Sequence, residues 1–412
     1  MINYLCLDNE ANESLRESLD LIQKQSIALD QSGKKKEQVS IKLEKPLAYD
    51  LQLDDLALRL DKGEIDGIIL DLRLDDQIGD KAKYRAPTIA QELRTRSAEP
   101  LLDKALAAAS GATLPQMRSC PLVLWSTDKK LADSYRRDDT SHDLFEFKIF
   151  KDKLAGPESR KEYAFHAARK LVASATGYRR IAEAPASSIE RAEKLLALEQ
   201  EWSELLDARL FAPLNEGIEQ KSIHEQARYI TRQLLETPNT ALITPQVAAA
   251  RLGVDPTQMS ITEIEKLVDQ LFPKARYKGA FAEGWPCWWT PKIEDAWLEL
   301  NGVPGPLLRL PAETRVEFIN RTFGTKFNAA ERIKYATSSV FTTVCQVTGR
   351  PLASIDGFAT SQHLFPWQLP EYVSLDGMLG KDPKREYPKL DPLEVQRFEE
   401  ERKLHPETRR RK

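Results

Sequence analysis

The 412-residue sequence has few cysteines, little net charge and no long apolar segment. Its four cysteines lie far apart, and neither a CxxC nor an HxxxH spacing occurs, which argues against a zinc site and against a disulfide framework. A net charge of −3 provides no general attraction to nucleic acid or to anionic lipid. No apolar run approaches the roughly 20 residues that a membrane-spanning helix needs. We therefore expect no association with a membrane.

The amino terminus, MINYLCLDNE, reaches acidic residues at once and has no basic segment before its apolar run. We therefore expect no signal peptide and a cytoplasmic protein, in which Cys6 is a reduced, buried thiol. Hydrophobic residues make up 41% of the chain and charged residues 30%, a composition typical of a soluble globular protein. At roughly 150 residues per domain, the length predicts two to four domains.

Five short apolar runs alternate with amphipathic stretches over residues 1–155. Continuous apolar strands separated by helices are typical of a parallel sheet that is covered on both faces. The predicted fold class is α/β: a flavodoxin-like five-stranded parallel sheet, followed by a mainly α-helical C-terminal region with a small β element. The predicted strands are Ile2–Leu7, Val39–Leu43, Gly67–Leu74, Pro121–Ser126 and Phe145–Phe150, and the predicted helices lie near 11–29, 51–62, 86–109 and 129–138.

Polar residues follow four of these strands, where the functional groups of such sheets are found. Asp8 follows the first strand, Asp71 lies within the third, Ser126 ends the fourth and Lys151 follows the fifth. Two carboxylates at adjacent strand ends can hold one Mg²⁺ through oxygen ligands and leave room for a phosphoryl group. A hydroxyl and a lysine can bind the phosphoryl oxygens, and a carboxylate nucleophile can accept the phosphoryl group.

This ordered set of strand ends resembles the receiver domain of response regulators, over about residues 1–155. The resemblance implies that Asp71, in the stretch DGIILDLRL, is the phospho-acceptor, that Ser126 is the switch hydroxyl and that Lys151 is the lysine that contacts the phosphoryl group. It also implies a phosphohistidine donor such as a histidine kinase as partner. The implied Mg²⁺ ligands are Asp8, Glu10, Asp71 and the backbone carbonyl of Arg73, while Asp66 and Gly79 match further family positions.

Several residues depart from the family pattern. Asn9 stands where a second acid is usual, Asp75 replaces a common proline, and Asp152 follows the lysine in place of another proline. A segment of about 20 residues, roughly 98–119, is predicted to be inserted before the fourth strand. These departures leave two alternatives open: a pseudo-receiver that keeps the fold as a docking module without phosphorylation, and a flavodoxin-like domain outside the receiver family.

Residues 156–235 are predicted to form a helical linker or bundle. A helix is expected at 157–180, on which His166 has a solvated or local role. Ser187 and Glu190 have the spacing of a capping box before the next helix. The apolar residues of that helix are spaced 3, 4 and 3 apart and predict one apolar seam, which could pack within the chain or join two copies in a homodimer. The seam residues are Leu195, Leu198, Trp202 and Leu205.

Residues 236–380 are predicted to form a mostly helical output domain that matches no family known to us. The stretch 242–256, with Thr244 before the helix and Gly253 after it, resembles the first helix and turn of a helix-turn-helix, and a second helix is expected at 260–271. That second helix is acidic, which argues against DNA contact but leaves a DNA-binding regulator as an alternative.

Tryptophans and turn residues mark the rest of this region. Four of the seven tryptophans lie in 281–300, where a packed core is favoured over a ligand- or base-binding surface. Two turn glycines in 345–358 predict a β-hairpin, and the charged tail 381–412 predicts a helix with a disordered end. The leading hypothesis is a signalling protein in which a receiver domain controls this C-terminal output or interaction domain.

Overall fold

The computed structural model describes residues 1–28, 37–75, 82–110, 117–135, 140–156, 160–185, 188–218, 220–360, 363–380 and 387–405. The described chain divides into two compact units. The first comprises Met1–Gln200, Phe211–Gln233 and Lys278–Trp285; the second comprises Glu201–Leu210, Leu234–Tyr277 and Pro286–Lys412. None of the described helices has the length and apolar content required to cross a membrane.

The first unit contains a five-stranded parallel sheet with the strand order β2-β1-β3-β4-β5. This is the flavodoxin-like order, and it confirms the predicted fold class. The strands are β1 (Ile2–Leu7), β2 (Val39–Glu44), β3 (Gly67–Asp71), β4 (Leu122–Ser126) and β5 (Phe147–Phe150). The helices between them are α1 (Glu13–Ala28), α2 (Tyr49–Asp61), α3 (Ala86–Ser110) and α4 (Asp128–Tyr135).

Both faces of the sheet are buried, which explains why its central strands have apolar runs without polar alternation. All five residues of β3 and all five of β4 are buried. One face packs on α2 and α3 through residues such as Leu5, Ile68 and Leu122. The strand β3 ends at Asp71 and not at Leu74 as predicted.

The helix predicted near 86–109 is confirmed as α3, and it contains the first part of the segment 98–119 that was predicted to be inserted before β4. Residues 98–110 continue α3, which is 25 residues long, and 111–116 lie outside the described residues. The side chain of Arg94, earlier on this helix, is buried against β4 and β5.

Further helices follow the sheet in the chain. These are α5 (Lys151–Ala155), α6 (Arg160–Glu183), α7 (Ile189–Leu196), α8 (Gln200–Ser203), α9 (Ala212–Asn215) and α10 (Ile223–Arg228), which continues as a π-helix over Tyr229–Glu236. The helix α6 packs on α1, and the Tyr4 hydroxyl on β1 donates a hydrogen bond to the Leu171 carbonyl at 2.8 Å. On α6, His166 lies 3.7 Å from Glu162, in agreement with a local role.

The prediction of one apolar seam along a single helix is wrong, because the helix α7 ends at Leu196. Ala197 adopts a left-handed conformation with φ of 48°, and the Leu198 N–H closes the helix end onto the Glu193 carbonyl. Leu205 is 68% exposed, so it does not join Leu195 and Leu198 in the core. The capping residue is Ser188, whose side chain makes no capping hydrogen bond, and the predicted cap Ser187 lies outside the described residues.

A buried charge network lies at the end of the sheet where β4 and β5 begin. Glu146, just before β5, accepts hydrogen bonds from Arg94 at 3.0 Å and from the Leu122 N–H at 2.7 Å. The Tyr178 hydroxyl on α6 also donates to Glu146, and His224 Nδ1 on α10 lies 3.0 Å from it. Burial alone would raise the pKa of Glu146, but Arg94 and the hydrogen bonds outweigh it and lower that pKa to about 2.

In the residues that the structure describes, the second unit is mainly helical with three small antiparallel pairs of strands. Its helices are α11 (Pro245–Leu252), α12 (Ile261–Leu271), α13 (Thr290–Leu298), α14 (Ala312–Phe323), α15 (Leu375–Leu379) and α16 (Pro392–Leu404). The pairs are β6 (Leu242–Ile243) with β7 (Trp288–Trp289), β8 (Thr343–Val344) with β9 (Pro351–Leu352), and β10 (Gly357–Ala359) with β11 (Tyr372–Ser374).

Several predictions for the C-terminal region are confirmed. The helices α11 and α12 have the predicted bounds, and Gly253 ends α11 with φ of 85°. A hairpin is present as β8–β9, but it begins before the predicted stretch 345–358, and of the two turn glycines only Gly349 lies in its turn, since Gly357 is in β10. The helix α16 is the one expected in the charged tail, of which 381–386 and 406–412 lie outside the described residues. All four tryptophans of 281–300 are buried, which confirms that they form core: Trp285, Trp288, Trp289 and Trp297.

Candidate functional site

The four polar strand ends that the sequence singles out meet at the carboxyl edge of the sheet. In the register of β1 and β3, Leu7 is opposite Leu70, so Asp8 and Asp71 follow side by side. Asp71 is opposite Trp125 on β4, and Ser126 is opposite the last residue of β5. Because all five strands are parallel, Lys151 follows at the same edge.

Lys151 bridges the two carboxylates. Its ammonium nitrogen Nζ lies 2.6 Å from Asp8 Oδ2 and 2.7 Å from Asp71 Oδ1. The lysine side chain is 14% exposed, whereas Asp8 and Asp71 are almost wholly buried. One cation thus compensates two buried anions, which leaves a net negative charge within this group of three.

The remaining carboxylate oxygens accept mainly from the backbone. Asp8 Oδ1 accepts from the Glu10 N–H at 2.9 Å, and Asp71 Oδ2 accepts a longer hydrogen bond from the Arg73 N–H at 3.3 Å. The Trp125 indole donates to Asp8 Oδ2 at 3.1 Å. Asp8 is therefore fixed from three directions, while Asp71 is held mainly by Lys151.

Burial and neighbouring charge perturb the pKa values of this group. Burial raises the pKa of Asp71, Lys151 opposes that effect, and the nearby Asp8 carboxylate raises the pKa further. Burial would lower the pKa of Lys151, but Asp71 and Asp8 outweigh it and raise that pKa above the ordinary value. Lys151 is therefore charged throughout the physiological range.

Two buried polar groups at this edge make no hydrogen bond to any described residue. They are the Ser126 hydroxyl and the Asn9 side-chain amide nitrogen. Both can donate a hydrogen bond, and a buried donor without an acceptor is unfavourable. Oxygen atoms of a bound group would accept hydrogen bonds from both side chains.

The structure gives less support to the other residues that the receiver resemblance implies at the Mg²⁺ site. The Glu10 side chain is exposed, and only its backbone N–H contacts Asp8. Arg73 contributes its backbone N–H to Asp71, and Gly79 lies outside the described residues. Within the ranges that the structure describes, no group of three or more histidine, cysteine, aspartate or glutamate side chains is placed to hold a metal ion.

Two of the departures from the receiver pattern have local structural roles. Asp75 forms ion pairs with Arg73 at 3.1 Å and Arg85 at 3.2 Å. Burial would raise the pKa of Asp75, but its hydrogen bonds to the two arginines lower it. Asp152 accepts a hydrogen bond from the Asp128 N–H at 3.3 Å, so it caps the start of α4.

Sequence reasoning missed the role of the Trp125 indole as a hydrogen-bond donor to Asp8. The signal for it was present, because Trp125 directly precedes Ser126 on a strand that ends at the site. A tryptophan N–H that is buried at a strand end usually has an acceptor.

Comparison with protein-family models, with curated proteins and with solved structures found no match to this chain.

Proposed function

We propose that residues 1–155 form a receiver-like module that accepts a phosphoryl group on Asp71 and thereby controls the C-terminal part of the chain. The observation that supports this most is the placement of Lys151 between Asp8 and Asp71, beside the unsatisfied Ser126 hydroxyl. A buried nucleophilic carboxylate, a lysine and a hydroxyl donor are the groups that phosphoryl transfer to aspartate requires.

The donor set at this edge also fits Mg²⁺. Asp8 and Asp71 would hold the ion, with the Arg73 carbonyl and Glu10 as the further ligands implied by the receiver resemblance. Carboxylate and carbonyl oxygens are the ligands that Mg²⁺ prefers. The ion would supply positive charge that neutralises the phosphoryl oxygens.

The proposed reaction is an exchange of one phosphorus bond for another. An Asp71 carboxylate oxygen attacks the phosphorus of a phosphohistidine on a partner kinase. The phosphorus–nitrogen bond breaks as the phosphorus–oxygen bond forms, and the histidine leaves with a proton from solvent. Lys151 and Ser126 would bind the transferred oxygens, and Lys151 would then release part of its contact with Asp71.

Labelling with radioactive acetyl phosphate in the presence of Mg²⁺ tests this proposal. We expect the unaltered chain to gain an alkali-labile acyl phosphate and Asp71→Asn to gain none. The matched control is Asp75→Asn, four residues away, because Asp75 is already paired with two arginines and should not affect labelling. Equal labelling of Asp71→Asn and the unaltered chain would remove Asp71 from this role.

The alternative is a pseudo-receiver that docks a protein partner without phosphorylation. The short contacts from Lys151 to both carboxylates favour it, because they already compensate part of the buried charge. Mg²⁺ titration separates the two functions: an ion that engages Asp8 should change the fluorescence of Trp125, and this change should be absent in Trp125→Phe. A chain that neither labels nor responds to Mg²⁺ would support docking.

A DNA-binding role for 242–271 has less support. The acids of α12 are engaged within the chain: Arg276 pairs with Glu265 at 2.8 Å and Asp269 at 3.2 Å, and the Trp288 indole donates to Asp269. These contacts favour a packing role for α12.

A further inference from the structure

The second unit contains a small pocket beside α11. Its volume is about 140 Å³, close to that of cavities that hold a benzene-sized molecule. One wall is formed by Thr244, which precedes α11, and by Val247 and Arg251 on that helix. Thr343 on β8 and the preceding Thr342 form another. Residues three and four apart on a helix share a face, so the side chains of Val247 and Arg251 are directed to the same space.

Arg251 gives this pocket a positive charge. The side chain is 8% exposed, and its Nε donates to the Thr342 carbonyl at 3.1 Å. The other two guanidinium nitrogens make no hydrogen bond to the described residues, and no described carboxylate forms an ion pair with Arg251. Burial lowers its pKa, and the exposed Glu294 opposes this only through its electrostatic field.

A second buried guanidinium lies next to Arg251. Arg315 on α14 is fully buried, and its Nη1 donates to the carbonyls of Arg251 at 2.7 Å and Phe341 at 2.9 Å. The remaining two nitrogens of Arg315 have no partner among the described residues. Two buried cations without an anion are unfavourable, so this part of the unit is poised to take up negative charge.

The rest of the lining combines hydroxyls with apolar side chains. The hydroxyls of Thr244, Thr343 and Ser354 line the pocket and make no hydrogen bond within the described part of the chain. The apolar wall includes Leu242, Val247 and Leu369. A ligand for this lining needs one compact anionic group and a small apolar body.

We propose that this pocket binds a monocarboxylate whose carboxyl group pairs with Arg251 and whose apolar body contacts Leu242, Val247 and Leu369. The two terminal guanidinium nitrogens match the two oxygens of a carboxylate. An inorganic phosphate would leave the apolar wall in contact with water. The carboxylate can belong to a small free acid or to the C-terminus of a peptide that ends in an apolar residue.

Calorimetric titration of the whole chain with benzoate tests this proposal, with benzamide as the uncharged analogue of the same shape. We expect benzoate to bind on the order of tenfold more tightly than benzamide, because only benzoate forms charge-assisted hydrogen bonds. A peptide ending in phenylalanine is compared with its C-terminal amide. Tighter binding of the peptide acid than of benzoate identifies a peptide terminus as ligand, and the reverse identifies a small acid.

Arg251→Met removes the charge but keeps most of the side-chain volume. We expect it to abolish the preference for benzoate, whereas Arg309→Met, at an exposed arginine outside the pocket, should retain it. Ser354→Trp, at the exposed rim of the pocket, should prevent benzoate binding without altering the core. This variant replaces Arg251→Met as the test if Arg251→Met does not fold. Equal affinity for benzoate and benzamide in the unaltered chain, or a preference that survives Arg251→Met, would overturn the proposal.

Discussion

Replacing Lys151 by methionine would leave two buried carboxylates side by side with no cation between them. Asp8 and Asp71 are 0% and 1% exposed, so solvent cannot compensate their charge. Removing one partner from a buried ion pair costs about 3–5 kcal/mol. Because Lys151 itself is 14% exposed, we expect the lower end, about 3 kcal/mol at pH 7.5.

The loss of stability in Lys151→Met should grow as the pH rises. Burial already raises the pKa of Asp71 and Lys151 opposes this, so loss of the lysine raises that pKa further above that of an unfolded aspartate, about 3.9. A group whose pKa is raised by folding contributes stability below the unfolded pKa and loses it as the pH rises through the folded pKa. The stability of Lys151→Met should therefore approach that of the unaltered chain near pH 4, and the difference between them should be largest at pH 7.5.

Hydrogen exchange followed by mass spectrometry is the suitable assay, because a chain of two units need not unfold in one step. Peptides that cover β1 and β3 should exchange roughly 100-fold faster in Lys151→Met at pH 7.5, after correction for intrinsic rates. Lys129→Met, at an exposed lysine of α4, provides the matched control and should leave the exchange unchanged.

Two results would refute this reasoning. Unchanged protection of β1 and β3 at pH 7.5 would mean that Lys151 does not compensate the buried carboxylates. A deficit of equal size at pH 4 and pH 7.5 would mean that the loss comes from packing and not from charge.

Two further predictions concern the core of the first unit. Folding lowers the pKa of Glu146 from 4.5 to about 2, so the ionised carboxylate adds about 3 kcal/mol to the free energy of unfolding above pH 4.5, and this is lost as the pH falls through 2. In denaturant titrations Glu146→Gln should remove this acid dependence of stability. An unchanged dependence would exclude Glu146 as its source. Gly67→Ala should destabilise the sheet by about 1–3 kcal/mol, because its Cβ would lie 2.3 Å from the Tyr4 ring, which the hydroxyl holds in place. Gly156→Ala, which meets no atom within 4 Å, is the control in the same urea titration, and equal midpoints for the two variants would refute the steric argument.

The sheet could be predicted because the burial of its strands determines their local amino-acid composition. A strand buried on both faces must be apolar throughout, so runs such as Gly67–Asp71 stand out without any tertiary information. The polar residue that follows each run also marks the edge where the site lies. Asp8, Asp71, Ser126 and Lys151 could therefore be selected together from sequence.

Other features do not follow from the spacing of apolar residues. The helix α7 ends at Leu196 within a spacing that is regular in sequence, because the Leu198 N–H donates to the Glu193 carbonyl and closes the helix end. The bridge from Lys151 to both carboxylates joins residues 143 and 80 positions apart.

The strand β5 has a polar site at each end, because the buried network around Glu146 lies at its start and Lys151 lies at its end. Glu146 lies five residues before Lys151, a distance of about 16 Å along an extended chain. Lys151 directly follows β5, and Glu146 at the other end of the strand contacts α6 and α10 through Tyr178 and His224. One strand of four residues therefore joins the group of Asp8, Asp71 and Lys151 to the buried network that contacts α6 and α10.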